Sequence, residues 1–205
     1  MAHGSLTWAM RFMKLLPLLT FLAFASPAFA HPHVFIDTGM KLLIANGKLE
    51  SVEVHWKWDE VYSDSWIKDF DLDRDKKFNA AETKKFISDA TAGLDRFAEF
   101  IFLYDVKGQR HEFGAVTDFK LGIDKGSVTY DFKAKLKKPL AVSGTALTVG
   151  AYDETYFIDV SFPKGAKIGV EGAPQCVARI IEDDQHLIYD GMVKPQVAEL
   201  TCPDF

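Results

Sequence analysis

Four carboxylates at fixed intervals carry the sharpest chemical signal in this 205-residue chain. They lie in Asp71-Leu72-Asp73-Arg74-Asp75-Lys76-Lys77-Phe78-Asn79-Ala80-Ala81-Glu82. Counted from Asp71, the residues Asp71, Asp73, Asp75 and Glu82 fall at positions 1, 3, 5 and 12. Lys77 at position 7 offers a backbone carbonyl, and Asn79 stands at position 9. A hard cation such as Ca²⁺ needs an oxygen set of this kind, and a closing Glu supplies two oxygens. The spacing is that of an EF-hand calcium loop. Lys76 departs from it, standing at position 6 where the sharp turn favours Gly. A left-handed backbone at Lys costs on the order of 1 kcal/mol, and its charge opposes a cation. The plainer reading is a solvent-facing helix–loop–helix whose acidic residues cap and solvate.

A second signal depends on processing. Arg11 and Lys14, the apolar run LLPLLTFLAF and Ala28-Phe29-Ala30 form a secretory signal peptide over residues 1–30. The apolar run is short for a bilayer span, which takes about 20 residues. Cleavage after Ala30 gives a mature start of His31-Pro32-His33. A terminal His offers an α-amine and an imidazole to one ion, a brace suited to Cu²⁺, and imidazole also suits Zn²⁺ and Ni²⁺. His33 projects to the same side as His31 if the segment is extended. Pro32 has no amide N–H, so chelation through deprotonated amides is blocked. His55 and Asp37 are expected to complete this site, with Asp59, His111 and His186 as further candidates. The plainer reading is that His-Pro-His serves only the peptidase and the start of a strand.

The elements that must position these groups follow from periodicity. Residues 33–44 and 49–58 alternate as strands about Asn46-Gly47, a two-residue hairpin turn. This pairing sets Asp37 roughly opposite Trp56. Residues 60–70 and 80–97 have helical spacing, the second through Phe86, Ala90, Leu94 and Phe97. Short strands are predicted at 98–106, 112–121, 127–136, 146–152, 156–161, 168–170 and 177–183. The sum is an α+β chain, mainly antiparallel β and sandwich-like, with an inserted EF-hand-like helix–loop–helix. Residues 31–205 are expected to form a single β-rich domain with its helical insertion at about 60–98.

Removing residues 1–30 leaves 22 basic against 29 acidic residues, a formal charge of −7. That balance argues against nucleic acid as a partner and suits a protein handling cations. No second apolar run follows, so the mature chain is not expected to be membrane-embedded. Cys176 and Cys202 are the only cysteines, and in an oxidising compartment a disulfide is the default. No nucleophile elbow, P-loop, HExxH or CxxC is present, so binding is expected rather than catalysis.

Several segments together resemble the bacterial family DUF1007. They are His31-Pro32-His33-Val34-Phe35-Ile36-Asp37, Trp58-Asp59-Glu60 with Tyr62-Ser63, the segment 71–82, Ala151 to Ile158, and Gly172-Ala173-Pro174 with Cys176. The resemblance implies an exported protein whose genes often lie beside nickel/cobalt-type or zinc-related permeases. It points to His31, His33 and Asp37, and to Asp71, Asp73, Asp75 and Glu82; the family loop usually has Gly at the place of Lys76. The leading expectation is a periplasmic accessory protein that exchanges Zn²⁺, Ni²⁺ or Co²⁺ with an inner-membrane metal permease. The alternatives are a periplasmic copper-binding protein with a His brace, and a Ca²⁺-stabilised structural or interaction module.

Overall fold

In the computed structural model, residues 32–91 and 98–205 are described. The expected signal peptide and the candidate residues His31, Leu94 and Phe97 lie outside the described residues. Strand β1 (Val34–Ala45) turns back into β2 (Lys48–Trp58) through Asn46 and Gly47, at φ 51° and 70°. Two left-handed residues are what a tight hairpin with native twist requires. The helices α1 (Glu60–Phe70) and α2 (Ala80–Ala90) follow. The strands β3 (Ile101–Asp105), β4 (Phe113–Asp124), β5 (Ser127–Ala141), β6 (Ala146–Ala151), β7 (Ile158–Ser161), β8 (Gly169–Glu171), β9 (Val177–Glu182) and β10 (Gln196–Thr201) complete the chain.

Two sheets form. The first runs β4-β5-β2-β1-β7, with β8 also on β1; the second runs β3-β6-β10-β9. All pairings are antiparallel except β1 with β7 and with β8, which are parallel. One apolar core joins the inner faces, combining Ile36, Leu42, Val52, Val54 and Trp56 with Leu103, Leu147, Val149, Ala198 and Leu200. The architecture is therefore α+β, mostly antiparallel and sandwich-like, with two short helices. Among the described residues no helix is long and apolar enough to cross a membrane.

The β1–β2 register corrects the sequence expectation. Near the turn Ile44 faces Leu49, but Leu43 faces Ser51, so Glu50 is extra on β2. This bulge moves every later pair by one, and Asp37 faces Lys57 rather than Trp56. The bulge is required by side-chain chemistry, because a one-residue slip exchanges the faces of a strand. With it, Val52, Val54 and Trp56 all face the core.

Three other elements differ from expectation. The second helix ends at Ala90 rather than 97, with Thr91 as its C-cap. Residues 98–100 make a single helical turn before β3. On β3 both faces are covered: Ile101 and Leu103 enter the main core, and Phe102 joins a second cluster with Tyr152, Ile188 and Val197. The last strand, β10, was missed; it lies centrally between β6 and β9. Cys176 and Cys202 are bonded one step beyond the final β9–β10 pair, Val177 with Thr201. Gly172 is fixed by a close approach, since a Cβ there would come 1.8 Å from the Ile44 carbonyl oxygen.

Candidate cation site and the histidines around the fold

The helical pair is anchored at both ends before any ion is considered. Asp59 caps α1, its Oδ1 accepting from the Tyr62 amide at 2.9 Å and its Oδ2 from the Phe35 amide at 3.0 Å. Ser63 is fully buried; its Oγ donates to the Trp58 carbonyl at 3.3 Å and accepts from the Val128 amide at 2.8 Å. The Trp-Asp-Glu and Tyr-Ser motifs thus dock α1 on β1 and β5. An aromatic stack extends the anchor: Phe86 of α2 lies 4.6 Å from Trp66, 5.1 Å from Phe70 and 5.3 Å from Tyr130, ring centre to ring centre.

Between the helices the chain folds around its own carboxylates. Asp71 is 5% exposed and Glu82 2%. Asp71 Oδ1 accepts from the Asp75 amide at 3.1 Å, and its Oδ2 from the Lys76 amide at 3.0 Å. Glu82 Oε1 accepts from the amides of Leu72 and Asp73, and its Oε2 from that of Asn79 at 2.9 Å. Oxygens of Asp71, Asp73 and Glu82 lie within 4.8 Å of one another. The sequence-expected loop is thereby gathered in part. Asp75 Oδ1 instead takes the Lys77 amide, and Asn79 Oδ1 takes the amides of Ala81 and Glu82. Asn79 and Glu82 form a capping box, so Asn79 is committed to the helix N-terminus. Lys76 adopts φ 63°, the left-handed conformation expected at the position where Gly is usual, and Arg74 adopts φ 60°. Both side chains are exposed. The donor set suits a hard divalent cation: three convergent carboxylates, no sulfur and no imidazole. Arg74, Lys76 and Lys77 offset much of the charge of the four carboxylates, which argues for modest affinity.

The histidine set is dispersed instead of gathered. His33 is exposed at the head of β1, its ring 5.2 Å from that of Phe157. Asp37 is exposed four residues further on the same face, about 13 Å away at the rise of a strand. His55 faces Gly39 across the ladder, so it lies about 20 Å along from His33. The expected combination of His33, Asp37 and His55 on one ion is not formed, because an extended strand spreads same-face residues apart. His55 is bonded to Asp131 (2.8 Å), His111 to Asp105 (3.1 Å), and His186 to Asp183 (2.8 Å) while stacking on Tyr104. The His111 contact holds the Asp105 carboxyl below the usual range, helped by the Gln109 and Lys107 amides. His111, a further candidate from the sequence, is thus half-buried and held by Asp105. Asp153, in the Tyr-Asp-Glu-Thr-Tyr motif, accepts from Thr155 and from the Ile158 amide and so makes the bend that starts β7. Sequence reading missed an apolar cavity of about 320 Å³ walled by Trp56, Trp58 and Trp66. The shared inward face of Trp56 and Trp58 was its one visible signal.

The chain is 24% identical over 172 residues to an uncharacterized protein of Haemophilus influenzae, covering 83% of this chain and 82% of the relative. The model of a family described as a protein of unknown function, DUF1007, matches residues 16–194. A match of that extent, running from residue 16 to beyond β9, makes this chain a member of the DUF1007 family.

Proposed function

We propose that this protein is an exported, non-enzymatic domain that binds a divalent hard cation, Ca²⁺ in the first instance, in the loop 71–82. The convergence of Asp71, Asp73 and Glu82 oxygens within 4.8 Å, two of the three side chains being buried, carries this reading. The loop then acts as an EF-hand-like unit in which the ion ties the exit of α1 to the start of α2. Ca²⁺ concentrations outside the cytoplasm suit an affinity in the range of about 0.1–1 mM typical of extracellular modules. Export is supported by the basic–apolar–small pattern of residues 1–30 and by the Cys176–Cys202 bond. The periplasm is the compartment proposed.

The experiment is calorimetric titration of the mature chain beginning at His31 with Ca²⁺, Mg²⁺ and Zn²⁺. Saturable 1:1 Ca²⁺ binding is expected, weakened at least tenfold by Asp71→Asn. No heat up to about 10 mM Ca²⁺, beyond the weakest extracellular sites, would overturn the proposal.

A second reading keeps the mature N-terminus as a transition-metal site. Among the described histidines, His33 alone has no carboxylate partner, and it is exposed. With the amine and imidazole of His31 it supplies three nitrogens for Zn²⁺, Ni²⁺, Co²⁺ or Cu²⁺. On this reading the protein exchanges the ion with an inner-membrane permease, for which an accessible terminus is suited. Loss of Zn²⁺ and Cu²⁺ binding in a His31→Ala/His33→Ala chain, with Ca²⁺ binding retained, is the expected result; retention of both metals would contradict it.

A further inference from the structure

The first sheet brings one carboxylate towards His33 that sequence spacing cannot show. Strand β7 runs parallel to β1, with Val34 beside Ile158, Phe35 beside Asp159 and Asp37 beside Ser161. The His33 amide donates to the Phe157 carbonyl at 3.0 Å, and the two rings lie 5.2 Å apart. Ile158 and Val160 pack towards the core, so Asp159 points to the outer face that Phe35 shares. His33 and Asp159 are then diagonal neighbours, with Cα atoms about 8 Å apart at the spacing and rise of a parallel sheet. An imidazole and a carboxylate span such a gap with one ion between them, each at about 2 Å from it. Asp37, the carboxylate expected from the sequence, stands about 13 Å from His33.

The Asp159 carboxylate is also unanswered. It is half-buried, and among the described residues it has neither a hydrogen bond nor an ion pair. Phe35 and Phe157, its neighbours on this face, offer no charge. Lys194 lines the same small hollow but is paired with Asp184. Burial pushes the Asp159 carboxyl above its ordinary value, with no opposing charge to bring it back. A carboxylate taken out of water without a counter-charge is costly, and a bound cation relieves it.

We propose that Asp159 is the carboxylate ligand of a Zn²⁺ site at the mature N-terminus, joined to His33 across the β1–β7 ladder. This rests on the second reading above and names the ligand which that reading lacks. The amine and imidazole of His31, the imidazole of His33 and one Asp159 oxygen make four donors, the number and types that tetrahedral Zn²⁺ takes. The oxygen separates this set from an all-nitrogen copper brace. The site shares no residue with the loop 71–82.

The test is a competition titration of residues 31–205 with Zn²⁺ in excess Ca²⁺. Asp159→Asn should weaken Zn²⁺ binding at least about tenfold, since removing even a group behind a ligand costs roughly 10–100-fold. Asp37→Asn should leave it unchanged. Co²⁺ in place of Zn²⁺ should give the intense visible absorption of a tetrahedral site, lost in Asp159→Asn. Asn keeps the shape and removes an unpaired charge, so the urea midpoint of that variant should hold or rise. His31→Ala/His33→Ala separates the two claims. Zn²⁺ binding lost there but unchanged in Asp159→Asn would overturn the assignment of Asp159 and leave the terminal site standing. Zn²⁺ binding retained in the double variant would overturn both.

Discussion

The loop 71–82 and the outer face of β1–β2 carry similar numbers of potential ligands, yet they treat them in opposite ways. In the loop, residues two and eleven positions apart converge, because the backbone curls through two left-handed residues, Arg74 and Lys76, and wraps its amides around the acids. On the sheet, His33, Asp37 and His55 share one exposed face, yet His33 stands about 13 Å from Asp37 and about 20 Å along from His55, while Asp37 and His55 are diagonal neighbours about 7–8 Å apart. The difference teaches that ligand types on a common strand face need not converge on one point, whereas carboxylates on a tight turn between helices do. It also separates two kinds of neutralisation. The loop acids are answered mainly by backbone N–H groups, and the sheet residues by one another: His55 with Asp131, Lys57 with Asp124, and Glu53 with Lys41 and Lys133.

The largest expected effect breaks the loop side of this contrast. Glu82→Ala removes the acceptor of three amides and half of the capping box. Urea unfolding should show a loss of about 3 kcal/mol, with Ca²⁺ response gone; a loss below about 0.5 kcal/mol, the range of ordinary surface changes, would mean that the loop is not organised by Glu82. Next, Ca²⁺ itself should stabilise the wild type by about 1.4 kcal/mol at tenfold excess over its dissociation constant. The rise in melting temperature should vanish in Asp71→Asn and persist in His55→Ala. Lys76→Gly should add about 1 kcal/mol of stability by relieving the left-handed backbone, and should tighten Ca²⁺ binding by removing a positive charge; an unchanged urea midpoint would contradict the strain argument. His55→Ala sharpens the sheet side: an exposed pair with Asp131 is worth less than about 1 kcal/mol, and Zn²⁺ affinity should not move.

The smallest effect concerns acid. The folded state lowers the Asp105 carboxyl through His111 and the Gln109 and Lys107 amides. Its stabilisation is therefore present above the unfolded carboxylate's value and lost as pH falls through the lowered folded one. Asp105→Asn should flatten the acid limb of the stability profile slightly, and an unchanged limb would remove Asp105 from the account.

Much of the fold was legible where local chemistry decides it. Asn46-Gly47 fixes the first hairpin, Asp59 and Asn79 mark both helix starts, and the two cysteines meet in the expected disulfide. What was not legible came from distant partners. The bulge at Glu50 exists because Val52, Val54 and Trp56 must share the core face, and it shifted Asp37 by one pair. The parallel places of β7 and β8 beside β1 are nonlocal. Strand β10 sits between Pro195 and Pro203, short enough to pass for a tail, yet its Val197, Ala198 and Leu200 are fully buried. At the candidate site, spacing identified Asp71, Asp73 and Glu82, but could not say that Asn79 would be taken by the helix cap. Nor could it say that three histidines would each find an aspartate.

The most direct test of the central contrast is an amide-resolved NMR titration of residues 31–205 with Ca²⁺. The account predicts saturable shifts at Leu72, Asp73, Asp75, Lys76 and Asn79, whose amides touch the ligand carboxylates, with Phe35, Asp37 and His55 unmoved. Shifts confined to the β1–β2 face, or none within 71–82, would contradict it.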